Sequence, residues 1–290
     1  MFIATFKNTL KTLLRSPSFW MVLAIGLAYS IYNEVMACHY GYVNIETYEM
    51  IWDTDPRYVL SFQDYCKMLA NASKTIAVYS SALVCVVSAS VIFLRDYGDR
   101  LYEIEKSSGA KPSAYVYGRF ASLIAVNTAN HFLLIMISVF SYVVTRGGVD
   151  GMSLPAAFSD LFVRAFFQEL IVGIPSILIY VSVTYLIAAL FKSGVAASIG
   201  GLLFALFYIV FGKLFVWTGG PVIVFIRENL TPVPHKVFDY MYYFRTEYHQ
   251  QMIEHFGITT QDVVFSVTAF VLFSALLSAV VYLLTRKRTV

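Results

Sequence analysis

Few residues in this chain are of types that do chemistry, and most are grouped. His131 lies within an uncharged stretch, 120–145, with Asn127 one turn away on the same helical face and Asn130 beside it. Such a trio fits either a patch that touches a transported molecule or exchanges a proton, or a set of hydrogen bonds between neighbouring helices. Arg164, Gln168 and Glu169 open a second apolar stretch. Glu169 suits the mouth of a pathway, or it simply reaches to the nearest polar layer together with Arg164. His235, His249 and His255 do not follow a standard zinc spacing, so no metal site is read from them. No Ser/His/Asp elbow and no H-E-x-x-H occurs. The expectation is no catalytic residues, no metal and no resident cofactor.

The elements that position these groups follow from composition. The chain has 290 residues, 58% apolar and only 13% charged. A soluble domain carries about 25% charged residues. The mean hydropathy of +0.67 agrees, which excludes a soluble enzyme. Six stretches free of Asp, Glu, Lys and Arg are long enough to cross a bilayer, which takes roughly 20 residues of helix. They are 16–33, 75–94, 120–145, 170–191, 193–212 and 263–285. The expected fold is an all-α integral membrane protein, a single transmembrane domain over 1–290. Its six spans are expected at about 17–35, 73–94, 119–145, 165–191, 194–216 and 263–285. The run 214–226 is short and broken by Thr218, Gly219, Gly220 and Pro221, and reads as a re-entrant segment between the fifth and sixth spans.

Short segments on one side collect Lys7, Lys11, Arg15, Arg95, Arg100, Lys106, Lys111, Arg119, Lys192, Arg286, Lys287 and Arg288. By the positive-inside rule both termini are cytoplasmic. The opposite side holds the external loops 36–72 and 218–262, the first acidic, the second rich in Tyr and Phe. The net charge of +3 reflects this asymmetry and implies no nucleic-acid partner. Cys38 and Cys66 share the first external loop, as a disulfide or as two free thiols; Cys85 lies within the second span.

Residues 1–15 place Phe2, Ile3, Phe6, Leu10, Leu13 and Leu14 at helical spacing, with Lys7, Lys11 and Arg15 elsewhere on the wheel. They are expected to form a helix lying in the membrane interface, closed by Pro17. Small residues recur every fourth position as Ser73, Ala77, Ser81, Cys85 and Ala89, and again as Gly194 and Ser198 and as Ala197, Gly201 and Ala205. These stripes mark close helix packing, within one bundle or between two protomers. Over 95–120 the chain reads RDYGDRLYEIEKSSGAKPSAYVYGRF, its densest charge cluster. Residues 99–107 fit a short amphipathic helix with Leu101, Tyr102 and Ile104 on its apolar side, suited to docking a partner. Pro175 is expected to kink the fourth span.

The layout resembles the permease subunits of ABC-2 type exporters. The likeness rests on the N-terminal helix ending at Arg15, Ser16, Pro17, Ser18, Phe19 and Trp20. It rests also on Gly109, Ala110, Lys111, Pro112 and Ser113 followed by Tyr115, Val116, Tyr117, Gly118 and Arg119, and on the Gly219-Gly220-Pro221 break. Where the family often has Gly-Thr, Gly98 is followed by Asp99. The resemblance implies a translocation path shared with a second permease, identical or paralogous, in a bacterial plasma membrane. The loop 95–118 would couple to separate ATP-binding subunits through Asp99, Arg100, Leu101, Tyr102, Glu103, Ile104, Glu105 and Lys106. No G-x-x-x-x-G-K-[ST] loop occurs, so ATP and Mg would sit on the partner. An amphipathic or lipidic cargo suits the aromatic cap. A secondary transporter or channel and a non-transporting membrane sensor are the competing classes.

Overall fold

The computed structural model describes residues 2–39, 42–43, 50–51, 82–98, 107, 109, 111–146, 160–214 and 260–287. Seven helices fall among them: α1 (Phe2–Leu14), α2 (Pro17–His39), α3 (Ala82–Gly98), α4 (Pro112–Arg146), α5 (Asp160–Phe191), α6 (Gly194–Leu214) and α7 (Thr260–Lys287). A two-residue antiparallel ladder joins β1 (Tyr42–Val43) to β2 (Met50–Ile51), with Tyr42 opposite Ile51. The first expected loop therefore contains paired backbone, and α2 runs on to His39.

Three helical stretches are long and apolar enough to cross a membrane: Pro112–Ile137, Gly173–Phe191 and Val267–Arg286. The pair α1 and α2, bent by 67° at the Arg15-Ser16 break, counts as a fourth. The six expected spans are thus not all reproduced by this measure among the described residues. Residues 73–81 lie outside the described residues, and only Gly194–Phe207 of α6 registers as a shorter apolar helix. The break at 218–221 also lies outside them.

The helices alternate in direction. At one end of the bundle, Arg119 near the start of α4 meets Asp96 near the end of α3, and Tyr117 stacks on Tyr282 of α7 at 6.0 Å. A Cβ added to Gly194, the first residue of α6, would run into the backbone of Phe93 and Leu94 in α3. Phe2 of α1, against Gly118, belongs to this same end. The core lies where α3, α5 and α6 meet, around Phe93, Tyr180, Val181 and Ala197. Phe93 packs on Tyr185 with ring centroids 4.6 Å apart. In α5, 61% of the most apolar stretch is buried, against 17% in α7, which makes α5 the central helix and α7 a peripheral one.

Small residues set these approaches. Cys85 and Ala89 are fully buried in α3, and Gly201 of α6 is buried against Val86 of α3, whose Cγ1 a Cβ would meet at 2.8 Å. Ser198 is half-buried and returns its hydroxyl to the Gly194 carbonyl at 2.9 Å. The described part of the two stripes, Cys85, Ala89, Gly194, Ser198 and Gly201, therefore lies on helices that face each other within one chain. Ser73, Ala77 and Ser81 lie outside the described residues.

α5 and α6 are joined by Lys192 and Ser193. Lys192 takes φ 51°, the left-handed conformation that closes a helix. Ser193 caps α6: its Oγ accepts from the Ala196 amide at 3.2 Å. Pro175 lies inside α5, buried. A left-handed non-glycine residue costs about 1 kcal/mol, and losing an N-cap costs about as much. Lys192→Gly should raise the thermal midpoint of the protein in detergent micelles, and Ser193→Ala should lower it.

Candidate functional site

Polar chemistry concentrates in two places, and the first was not anticipated. Asp96 and Arg119 form a buried ion pair between α3 and α4, with Nη2 to Oδ1 at 2.6 Å and side chains 1% and 3% exposed. The other Asp96 oxygen accepts from the Tyr115 hydroxyl at 2.7 Å. Arg119 Nη1 donates to Thr9 Oγ1 of α1 at 3.0 Å, and the guanidinium lies 4.6 Å from the centroid of the Tyr115 ring. Thr9 in turn donates to the Thr5 carbonyl at 2.8 Å. Three helices thus converge on one pair of charges.

The local sequence explains the convergence. Pro112 fits the first turn of α4, where its missing amide costs nothing, and Gly109 at φ 79° turns the chain into it. Tyr115 and Arg119 are one turn apart on α4 and share a face. Gly118 lets α1 come close: a Cβ there would meet Thr5 Cβ at 3.0 Å and the Phe2 carbonyl oxygen at 3.2 Å. Ser122 Oγ shares its one proton between the Phe6 carbonyl of α1 at 3.0 Å and the Gly118 carbonyl at 2.8 Å. Arg95 donates to Thr12 Oγ1 at 2.8 Å.

These contacts sharpen two expectations. Arg119, grouped by sequence with the cations of one side, is buried there in an ion pair with Asp96. The charged loop expected over 95–118 is also narrower, because α3 continues to Gly98 and α4 begins at Pro112. The physical reason is the pair itself, which lets Asp96 and Arg119 stay helical away from water. The protein-facing edge of α1 is not its apolar one alone: Thr5 and Thr9 are buried with Leu13, while Phe2, Ile3 and Leu14 are exposed.

The second cluster is the predicted trio on α4, and its members do not face one way. Asn127 is buried and tied to α3, its Nδ2 donating to Ser88 Oγ at 2.9 Å and to the Leu123 carbonyl at 2.8 Å. His131 is 1% exposed and lies on Gly173 of α5, where an added Cβ would fall onto its imidazole ring. Asn130 is buried, and its Nδ2 has no hydrogen-bond partner among the described residues. Asn127 and His131 therefore act as contacts between neighbouring helices. Asn130 is the member left with a polar group to satisfy.

Glu169 falls within α5, but its side chain lies outside the described residues. The same is true of Cys38 in α2, and Cys66 lies outside them altogether, so the geometry of that pair is not on view. Asp99, Arg100, Leu101, Tyr102, Glu103, Ile104, Glu105 and Lys106 also lie outside them. Among the described residues no three His, Cys, Asp or Glu side chains gather as a metal site.

The fold and these contacts define a helical bundle whose apolar helices are compatible with a membrane protein. Compared with models of protein families and with curated proteins, the chain finds no match.

Removing one member of a buried ion pair costs about 3–5 kcal/mol, whereas replacing both by apolar residues is often nearly neutral. Asp96→Ala should therefore lower the thermal midpoint in micelles sharply, and Asp96→Leu combined with Arg119→Met should recover most of the loss. Gly173→Ala should cost about 1–3 kcal/mol by overpacking against His131. Its effect should shrink when His131→Ala is also present, as a double-mutant cycle would show.

Proposed function

We propose that this chain is the transmembrane permease subunit of an ATP-driven exporter of the ABC-2 type. It crosses a plasma membrane six times with both termini in the cytoplasm. The observation that supports the reading best is the convergence of α1 on the ends of α3 and α4. The amphipathic N-terminal helix is bound to both helices that flank the charge cluster at 99–106. An ATP-binding partner that engages Leu101, Tyr102 and Ile104, with Glu103 and Glu105 supplying charge, would be pulling on helices already joined to one another. The contacts of Phe2 with Gly118 and of Tyr282 with Tyr117, which put the start of α1 and the end of α7 at one end of the bundle, are in keeping with an even number of crossings.

In this reading the translocation path is shared with a second permease, and ATP and Mg reside on the separate ATPase. The cargo is amphipathic or lipidic, as the aromatic residues of 218–262 and the scarcity of charge suit. One observation favours a second reading, a self-contained secondary transporter: the Asn130 amide, which has no hydrogen-bond partner among the described residues, one residue from His131 within the stretch Pro112–Ile137. Buried polar groups in a membrane are usually paired or functional.

The two readings separate on purification from the native membrane in mild detergent. The exporter reading expects a near-stoichiometric protein carrying a phosphate-binding Walker loop in the mass spectrum. It also expects Glu103→Lys with Glu105→Lys to abolish transport while leaving expression unchanged. A clean preparation from membranes that preserve such complexes, together with normal transport by the charge-reversed variant, would overturn it.

A further inference from the structure

The helix α1 has three distinct edges, and the bundle accounts for one. Thr5, Thr9 and Leu13 are buried, with the Thr9 and Thr12 hydroxyls taken up by Arg119 and Arg95. Beside this edge lies an exposed apolar one with Ile3 at 65% and Leu14 at 47% exposure. The third edge carries Lys7, Lys11 and Arg15, each one turn from the next, all exposed. None of the three cations forms an ion pair among the described residues.

The direction of α1 is also set. It lies at 67° to α2. The indole of Trp20 donates to the Leu14 carbonyl at 2.8 Å and holds the corner. Where α2 stands across a bilayer, α1 then lies close to the membrane plane. Trp20, Met21 and Ile25 of α2 are exposed apolar side chains of the kind that face lipid.

We propose that the outward edge of α1 binds the headgroups of anionic phospholipids, and that the Asp96–Arg119–Thr9 contacts hold the helix in the register needed to do so. The chemistry favours lipid over an acidic protein. An acidic peptide would satisfy Lys7, Lys11 and Arg15 but leave Ile3 and Leu14 facing water. A headgroup layer satisfies both edges at once, with phosphates at the cations and acyl chains under the apolar side chains. A free amphipathic helix would choose its own rotation in the interface. Here the rotation is decided by protein contacts, so lipid binding and docking of α1 are linked: a ligand that binds the docked form stabilises it.

The test uses the full chain in nanodiscs of phosphatidylcholine and in the same lipid doped with phosphatidylglycerol. Retained lipid is read by native mass spectrometry and the thermal midpoint is followed in parallel. The wild-type protein should retain phosphatidylglycerol and gain thermal stability from it, the gain falling with added salt. Each cation near an anionic surface contributes roughly a fivefold change in binding. The variant Lys7→Gln, Lys11→Gln, Arg15→Gln should therefore bind about a hundredfold more weakly. Lys192→Gln with Arg286→Gln, exposed cations at the same end of the bundle, should leave the effect intact. Inorganic phosphate should not reproduce the stabilisation. Thr9→Val, which keeps the ion pair but removes the α1 acceptor, should weaken retention several-fold.

Equal retention by the triple variant would overturn the proposal. An equal loss in the Lys192 and Arg286 pair would reduce it to bulk charge, and so would stabilisation by inorganic phosphate alone. Unchanged retention by Thr9→Val would overturn the role given to the docked register.

Discussion

Arg119 and Asp96 have been taken out of water at the place where α1, α3 and α4 meet, and much of the arrangement at that end of the bundle follows from how they are satisfied. Desolvating two ions costs several kcal/mol each unless geometry and further hydrogen bonds offset it. Here the offsetting partners come from separate parts of the chain: the Tyr115 hydroxyl on one carboxylate oxygen, Thr9 on one guanidinium nitrogen, and the Tyr115 ring beside the cation. Lifting α1 away would strip Arg119 of an acceptor. The position of the N-terminal helix is thus tied to a guanidinium 110 residues further along the chain and, through it, to Asp96.

Elsewhere the bundle is held by close approach. Apolar helices in an apolar medium gain little from excluding water, so contact area and a few hydrogen bonds must hold them. The glycines show where this happens. Gly118 admits Thr5, Gly173 admits the His131 ring, Gly194 admits the backbone of α3, and Gly201 admits Val86 and Thr184. Around these points the polar side chains are mostly turned inward to carbonyls of their own helix, as with Ser90, Ser182, Thr184 and Thr285. Large apolar side chains then occupy the outside. Ile199, Leu203 and Phe207 of α6 and Leu272, Leu276 and Leu283 of α7 are all exposed, an arrangement suited to lipid and costly in water.

The two polar clusters divide the work differently. The Asp96–Arg119 contacts organise one end of the bundle and join helices that flank the charge cluster. The α4 trio lies deeper, where Asn127 and His131 contact neighbouring helices and the Asn130 amide has no partner among the described residues. A group buried in that way is either a defect tolerated by the fold or a position reserved for something polar, and only the second gives the middle of the bundle a reason to discriminate among molecules.

Composition and the spacing of apolar and small residues determined, without any coordinates, that the chain would be a bundle of long apolar helices. The same patterns placed the amphipathic helix before Pro17 and the stripes through Cys85 and Gly194. They do so because helical period and bilayer-scale length are properties of local sequence. Local sequence could not show that Asp96 and Arg119 are partners, since they are separated by a turn and by the charges of 99–111. In the string each reads as one more interfacial charge. Nor could it show that α1 docks through threonines, or that Asn127 and His131 face different neighbours. Those facts depend on which helices stand side by side, and helix adjacency is settled by packing and by the desolvation of buried charge.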